Sequence, residues 1–159
     1  MPPNPGPAIT NTPQTKAVMA PVNTMGQQNA LPAEMNACRL LGLYRGVNAN
    51  AANTDHPIPI LNAERYSVFQ VVATNASISL TTATGGLFSD VGGGGTAVVA
   101  SAALSALTGP TIVAQRTVAS TALRTEQTLY WRTATAQGAA ATFDVYVFGY
   151  DLTVYSQPT

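Results

Sequence analysis

Residues 66–82 read YSVFQVVATNASISLTT. The first nine, Tyr66–Thr74, are dense in β-branched and aromatic residues, which suit a pleated, half-buried strand. Simple alternation assigns Tyr66, Val68 and Val72 to one side, and Phe69 and Val71 to the other. Asn75-Ala76 has the chemistry of a tight turn. Ser77–Thr82 then alternates strictly, with Ile78 and Leu80 expected inward and Ser77, Ser79 and Thr81 outward. A period of two on both sides of a turn signals β-structure rather than helix.

The same texture extends in both directions. Arg39–Val47 (RLLGLYRGV) reads as a strand, because Gly42 and Gly46 weaken a helix. A short helix over Ala33–Leu43 is the competing reading. The stretch 48–55 (NANAANTD) is a loop. In His56–Leu61 (HPIPIL) the two prolines lack amide donors on one side, which confines this strand to a sheet edge. Gly85-Gly86 and Gly92–Gly95 bracket an expected irregular, flexible stretch at Leu87–Asp90. Thr96–Leu107 is ambiguous between helix and strand. Thr111–Ala119, Gln127–Ala134 and Thr142–Tyr150 are further strands, the last two joined by a hairpin loop at Ala136-Gln137-Gly138. Leu152–Tyr155 is read as continuing the final strand beyond a bend near Gly149. Seven or eight short strands, spaced by about 8–14 residues, predict an all-β sandwich or jelly-roll-like domain.

Composition narrows the class of function. Of 159 residues, 9% are charged and the net charge is zero, where an ordinary soluble domain carries about 25% charge. Small neutral residues take the place of the charge, with 26 alanines and 21 threonines. A surface so poor in charge suits a protein largely covered by neighbours. No basic excess is available to neutralise phosphates, so binding to nucleic acid by charge is not expected. No apolar run is long enough to span a bilayer as a helix. The single Cys38 has no internal partner for a disulfide, and the first residues show no secretory pattern. Synthesis in a reducing cytoplasm is the expectation, with Cys38 a small core or interface residue.

The chain divides near residue 37. Seven of the 11 prolines lie at or before Pro32, and Lys16 is the one charged side chain in residues 1–33. Ile9, Val18, Met19, Val22, Met25 and Leu31 follow no sustained period. Residues 1–37 are therefore expected to form an extended arm whose apolar side chains anchor on a partner, and 38–159 the β domain.

Chemistry-bearing motifs are scarce. His56 beside Asp55 could move a proton, but a nucleophile and an orienting partner would have to come from elsewhere, and a solvent-exposed or loop-capping role in an Asn-rich loop is expected. The seven carboxylates show no ligand spacing, and Gly92–Gly95 lacks the lysine of a phosphate loop. No catalytic, metal or cofactor site is expected. Trp131, Tyr130, Tyr146, Phe148 and Tyr150 form either core and interface packing or a sugar-stacking platform. In Thr142–Tyr150, Phe143, Val145 and Val147 oppose Tyr146, Phe148 and Tyr150, so both sides of one strand are apolar. A lone sandwich should be polar outside, which makes Tyr146, Phe148 and Tyr150 candidates for a protomer interface. Six of the seven basic residues are arginine. Arg116, Arg124 and Arg132 are candidates to meet acidic or carbonyl groups across subunits.

Four stretches carry a resemblance: YSVFQVVATNASISLTTATGGLFS (66–89), GGTAVVASAALSALTGPT (94–111), LYWRTATAQGAAATFDVYVFGYDL (129–152) and LGLYRGVNANAANTDHPIPI (41–60). Together they resemble the capsid decoration, or cement, proteins of tailed bacteriophages. The phrases around TNAS, SLTTATGG and AQGAAAT are the most distinctive, with a departure at Trp131–Ala134. The resemblance spans residues 41–152 and leaves the Pro-rich arm unmatched. It implies a jelly-roll-like homotrimer on the outer surface of a virion, made in the host cytoplasm. Such a trimer bridges subunits of the major capsid protein and has no catalytic residues. The alternative is a phage fibre, knob or carbohydrate-binding adhesion module; a small hydrolase relying on His56 is a third reading.

Overall fold

The computed structural model describes residues 38–153. In chain order its strands are β1 (Arg39–Asn48), β2 (Thr54–Pro59), β3 (Tyr66–Thr74), β4 (Thr84–Phe88), β5 (Ala97–Ala103), β6 (Val113–Arg116), β7 (Thr128–Thr135) and β8 (Thr142–Asp151). A short 3-10 turn, Val91–Gly93, is the one helical element among the described residues. The expected arm and its anchors Ile9, Val18, Met19, Val22, Met25 and Leu31 lie outside these residues.

Pairing is antiparallel and nested: β1 with β8, β2 with β7, β3 with β6, and β4 with β5. The chain thus folds like one long hairpin bent back on itself. Additional ladders between β3 and β8 and between β4 and β7 complete two four-stranded sheets. Sheet A has the order β1-β8-β3-β6 and sheet B the order β2-β7-β4-β5. Every connection except β4 to β5 crosses between sheets, which is jelly-roll connectivity. The predicted all-β sandwich is therefore the observed fold, with eight strands.

The core lies between the sheets. Alternate side chains of each strand meet there, with Leu41, Tyr66, Val68, Leu87, Trp131 and Phe143 almost fully buried. Trp131 of sheet B packs edge-on against Phe143 of sheet A at 5.6 Å between ring centroids, joining the layers. Each such large side chain contributes about 1.5–3 kcal/mol on leaving water.

Several expectations change. In β3 a bulge falls between Val68 and Gln70, so the phase shifts by one residue. Val71 and Ala73 turn inward with Tyr66 and Val68, while Val72 turns outward. Simple alternation cannot show such a slip. Ser77–Thr82 forms no strand: it is part of the loop between β3 and β4, in which Leu80 is buried and Ile78 is exposed. Its ladder partners are absent because the chain crosses there from sheet A to sheet B. Residues 136–138 join different sheets and so form a crossing loop rather than a hairpin.

Leu87 and Phe88, expected to be irregular, lie with Gly85-Gly86 inside β4, a central strand. A Cβ at Gly86 would stand 2.6 Å from the Val99 carbonyl oxygen, and one at Gly85 2.9 Å from that of Arg132. Glycine serves close approach here, not flexibility. Thr96–Leu107 resolves to a strand, β5, followed by loop. The Thr111–Ala119 strand shortens to β6, and β8 ends at Asp151. Pro57 and Pro59 do occupy an edge strand, as β2 pairs only with β7.

Candidate interaction surface

Strand β8 is central in sheet A and sends alternate side chains to its two sides. Phe143, Val145 and Val147 are buried in the core, whereas Tyr146 and Phe148 are half-buried and Tyr150 is exposed. Register places Leu43 and Val72 on either side of Tyr146, and Leu40 and Gln70 on either side of Phe148. Tyr150 stacks on Phe69, with centroids 5.2 Å apart. Farther along, Val72 pairs with Gln115, and Val113 is 64% exposed. The outer side of sheet A is thus a broad apolar surface with three aromatic side chains in a row.

Charge is nearly missing from it. Asp144 is on the same side but only 8% exposed. It accepts hydrogen bonds from the Gly46 amide at 2.8 Å and the Asn75 amide group at 3.1 Å. Arg45 stands at the margin, in the β1 bulge between Tyr44 and Val47. A contiguous apolar patch of this kind is a candidate contact surface.

The outer side of sheet B is different. Arg132 donates to both Asp55 carboxylate oxygens, at 3.1 and 3.2 Å, and to Asn53 Oδ1 at 3.0 Å. The Gly92 amide donates to Asp55 Oδ2 at 2.8 Å, which draws the glycine-rich loop over the pair. Asp90 caps the same loop by accepting from the Val91 amide at 2.7 Å. The glycines expected to be flexible are therefore held by two carboxylates.

The candidate arginines meet carbonyl and carboxylate groups of their own chain. Arg116 reaches from β6 to the carbonyls of Ala103 at 2.7 Å and of Ala102 and Gly85 at 3.2 Å. It closes the open side of the sandwich, next to a cleft of about 220 Å³ lined by Val99, Ala100 and Thr117. Arg124 is buried and lies 3.6 Å from Glu126. Arg132 is the partner of Asp55.

The five aromatic residues considered as a sugar platform are not brought together. Trp131 is fully buried, Tyr130 pairs with Pro57 and Phe88 on the outer side of sheet B, and the other three lie outside sheet A. His56 is likewise not in a loop. It lies in β2, 7% exposed, with the Tyr44 ring edge-on at 5.1 Å. Burial holds its imidazole below the usual range, partly opposed by the Asp55 charge. Its Nε2 has no hydrogen-bond partner. Cys38 is exposed and takes no part in the core. Among the described residues no three His, Cys, Asp or Glu side chains gather as a metal site.

Leu40, Leu43, Phe69 and Val72 escaped the sequence reading of this surface. Their side depends on bulges in β1 and β3, and a bulge carries no fixed residue signature. Comparison of the chain with protein-family models, with curated proteins and with solved structures gave no match.

Proposed function

We propose that this chain is a structural protein of a phage virion: a decoration, or cement, protein that binds the outer surface of the capsid and bridges its subunits. It acts as a homotrimer, its partner is the major capsid protein, and its role is mechanical rather than catalytic. The observation that carries this reading is the outer side of sheet A. Tyr146, Phe148 and Tyr150 lie in a nearly charge-free apolar surface on a protein with 9% charged residues. Water is a poor permanent neighbour for such a surface, and a sister protomer is a good one. The resemblance of residues 41–152 to decoration proteins supplies the virion context, and the Pro-rich residues 1–37 supply apolar anchors for the shell.

The five-aromatic platform of the adhesion alternative is not assembled, because Trp131 is fully buried and the remaining aromatics are divided between two sides. Electron microscopy of virions with an antibody against the full chain tests the proposal. Label over the capsid wall is expected, and label at a tail tip or fibre would overturn it. Deleting residues 2–32 should leave the β domain folded and abolish tight capsid binding.

A further inference from the structure

The four loops at one end of the sandwich carry no charged side chain of their own; Arg132 and Asp144 reach them only from the strands, through Asn53 and Asn75. These loops are 49–53, 75–83, 104–112 and 136–141, and none contains Asp, Glu, Lys, Arg or His. The opposite end, with loops 60–65, 89–96 and 117–127, contains Glu64, Arg65, Asp90, Arg124 and Glu126. The described chain enters β1 and leaves β8 at that charged end.

The uncharged end is built rather than loose. Gln137 accepts from the amides of Thr82 and Ala83, both at 3.2 Å, and donates to the Ser79 carbonyl at 3.2 Å. Its own amide donates to the Ala49 carbonyl at 2.8 Å, so one residue ties three of the four loops. Ile78 and Ile112 project from this frame, 39% and 37% exposed. A surface held in place beforehand loses less entropy on docking.

A ring of identical subunits needs two different patches on each copy, because its contacts are head-to-tail. If the outer side of sheet A is one patch, the other must be a surface that can cover Tyr146, Phe148 and Tyr150 without stranding a charge. The outer side of sheet B would bury the Asp55–Arg132 pair, and the far end would bury Glu64 and Arg65. Removing such groups from water against an apolar partner is costly. We infer that the uncharged loop end of one copy packs on the outer side of sheet A of the next copy. This deepens the homotrimer reading and rests on it.

Sedimentation of the full chain and of single-lysine variants tests the arrangement. Tyr150→Lys damages the sheet surface and Ala139→Lys the loop end, and both sites are exposed. Each variant alone should sediment as a monomer where the unaltered chain is oligomeric. Mixed in equal amounts, they should form a species of twice the chain mass. The Tyr150→Lys copy still offers an intact loop end, and the Ala139→Lys copy an intact sheet. Thr121→Lys, at the charged end, should assemble normally.

Monomers that stay monomeric on mixing would overturn the head-to-tail contact. An Ala139→Lys chain that assembles like the unaltered one would do so too, and in both cases the oligomer reading stands. A monomeric unaltered chain would overturn both. Val72→Lys and Thr108→Lys repeat the mixing test should either first variant lose its far-ultraviolet circular dichroism.

Discussion

The two sheets have the same number of strands and share one core, but their outer sides are treated differently. Sheet B keeps an Arg132–Asp55 pair at 3.1 Å and draws a glycine-rich loop across it. The outer side of sheet A exposes Tyr150 and half-exposes Phe148 and Tyr146, and the carboxylate on that side, Asp144, is turned into hydrogen bonds at the margin. Hydrophobicity alone does not distinguish them, since sheet B also shows Pro57, Tyr130 and Phe88 outside. The placement of charge does. A side that must stay in water retains an ion pair, whereas a side that meets a protein surface loses by burying one.

The comparison depends on a core that holds the sheets apart, and the largest expected effect strikes it there. Trp131→Ala should destabilise the domain by about 3–5 kcal/mol in urea unfolding. Tyr130→Ala, one residue away but on the outer side of sheet B, should cost well under half of that. Equal losses would mean that β7 does not divide inside from outside as described. Next in size, Leu80→Ala should cost about 2–5 kcal/mol, because Leu80 is fully buried in the β3–β4 loop. Ile78→Ala should change stability by no more than about 0.5 kcal/mol. Comparable losses at the two positions would restore the alternating strand that the sequence suggests.

A smaller effect sharpens the contrast between outer sides. Arg132→Met should cost up to about 1 kcal/mol, less in high salt, and should speed amide exchange at Gly92. Tyr146→Ser on sheet A should leave unfolding of the monomer insensitive to salt. Salt sensitivity at both positions would erase the distinction.

The smallest effect is a pH dependence on the sheet B edge. Burial favours the neutral form of His56, so its folded pKa lies below the ordinary value of 6.5. The unfolded chain then takes up this proton first as pH falls. Stability should be complete above about 6.5 and decline below it, until the folded imidazole also titrates. A His56→Gln chain should lack this slope in melting temperature between pH 7.5 and 5. Asp151 acts at lower pH. Burial raises its carboxyl, but hydrogen bonds from Thr153 and Arg39 outweigh that and set it below 3.8, so its contribution disappears only in stronger acid.

Much of the fold was legible because its signals are local. Tyr66–Thr74, Gln127–Ala134 and Thr142–Tyr150 announce strands by residue type, and the prolines of His56–Leu61 announce an edge. The two apolar sides of Thr142–Tyr150 could be read from period two, since β8 runs without a bulge through Phe143–Phe148. Sheet membership could not. Residues 136–138 look like a hairpin loop, and only the pairing of β8 with β1 and β3 makes them a crossing. The partners of the candidate arginines within their own chain were hidden for a similar reason. Whether Arg116 meets a neighbour or its own Ala103 carbonyl depends on where β5 lies.

The sequence by itself determined the all-β class, the scarcity of charge and the aromatic row of β8. These follow from residue type and from the two-residue repeat of an extended chain. Only the tertiary structure decided that the Asp55–Arg132 pair stands on the outer side of sheet B and that the charged loops share one end. It also decided that Trp131 lies inside and His56 behind it, and that Gly85 and Gly86 are needed for closeness. Each of these depends on which strands become neighbours, and nested pairing brings together residues as far apart as Arg39 and Gly149. A period of two reports the two sides of a strand but not what stands against either of them.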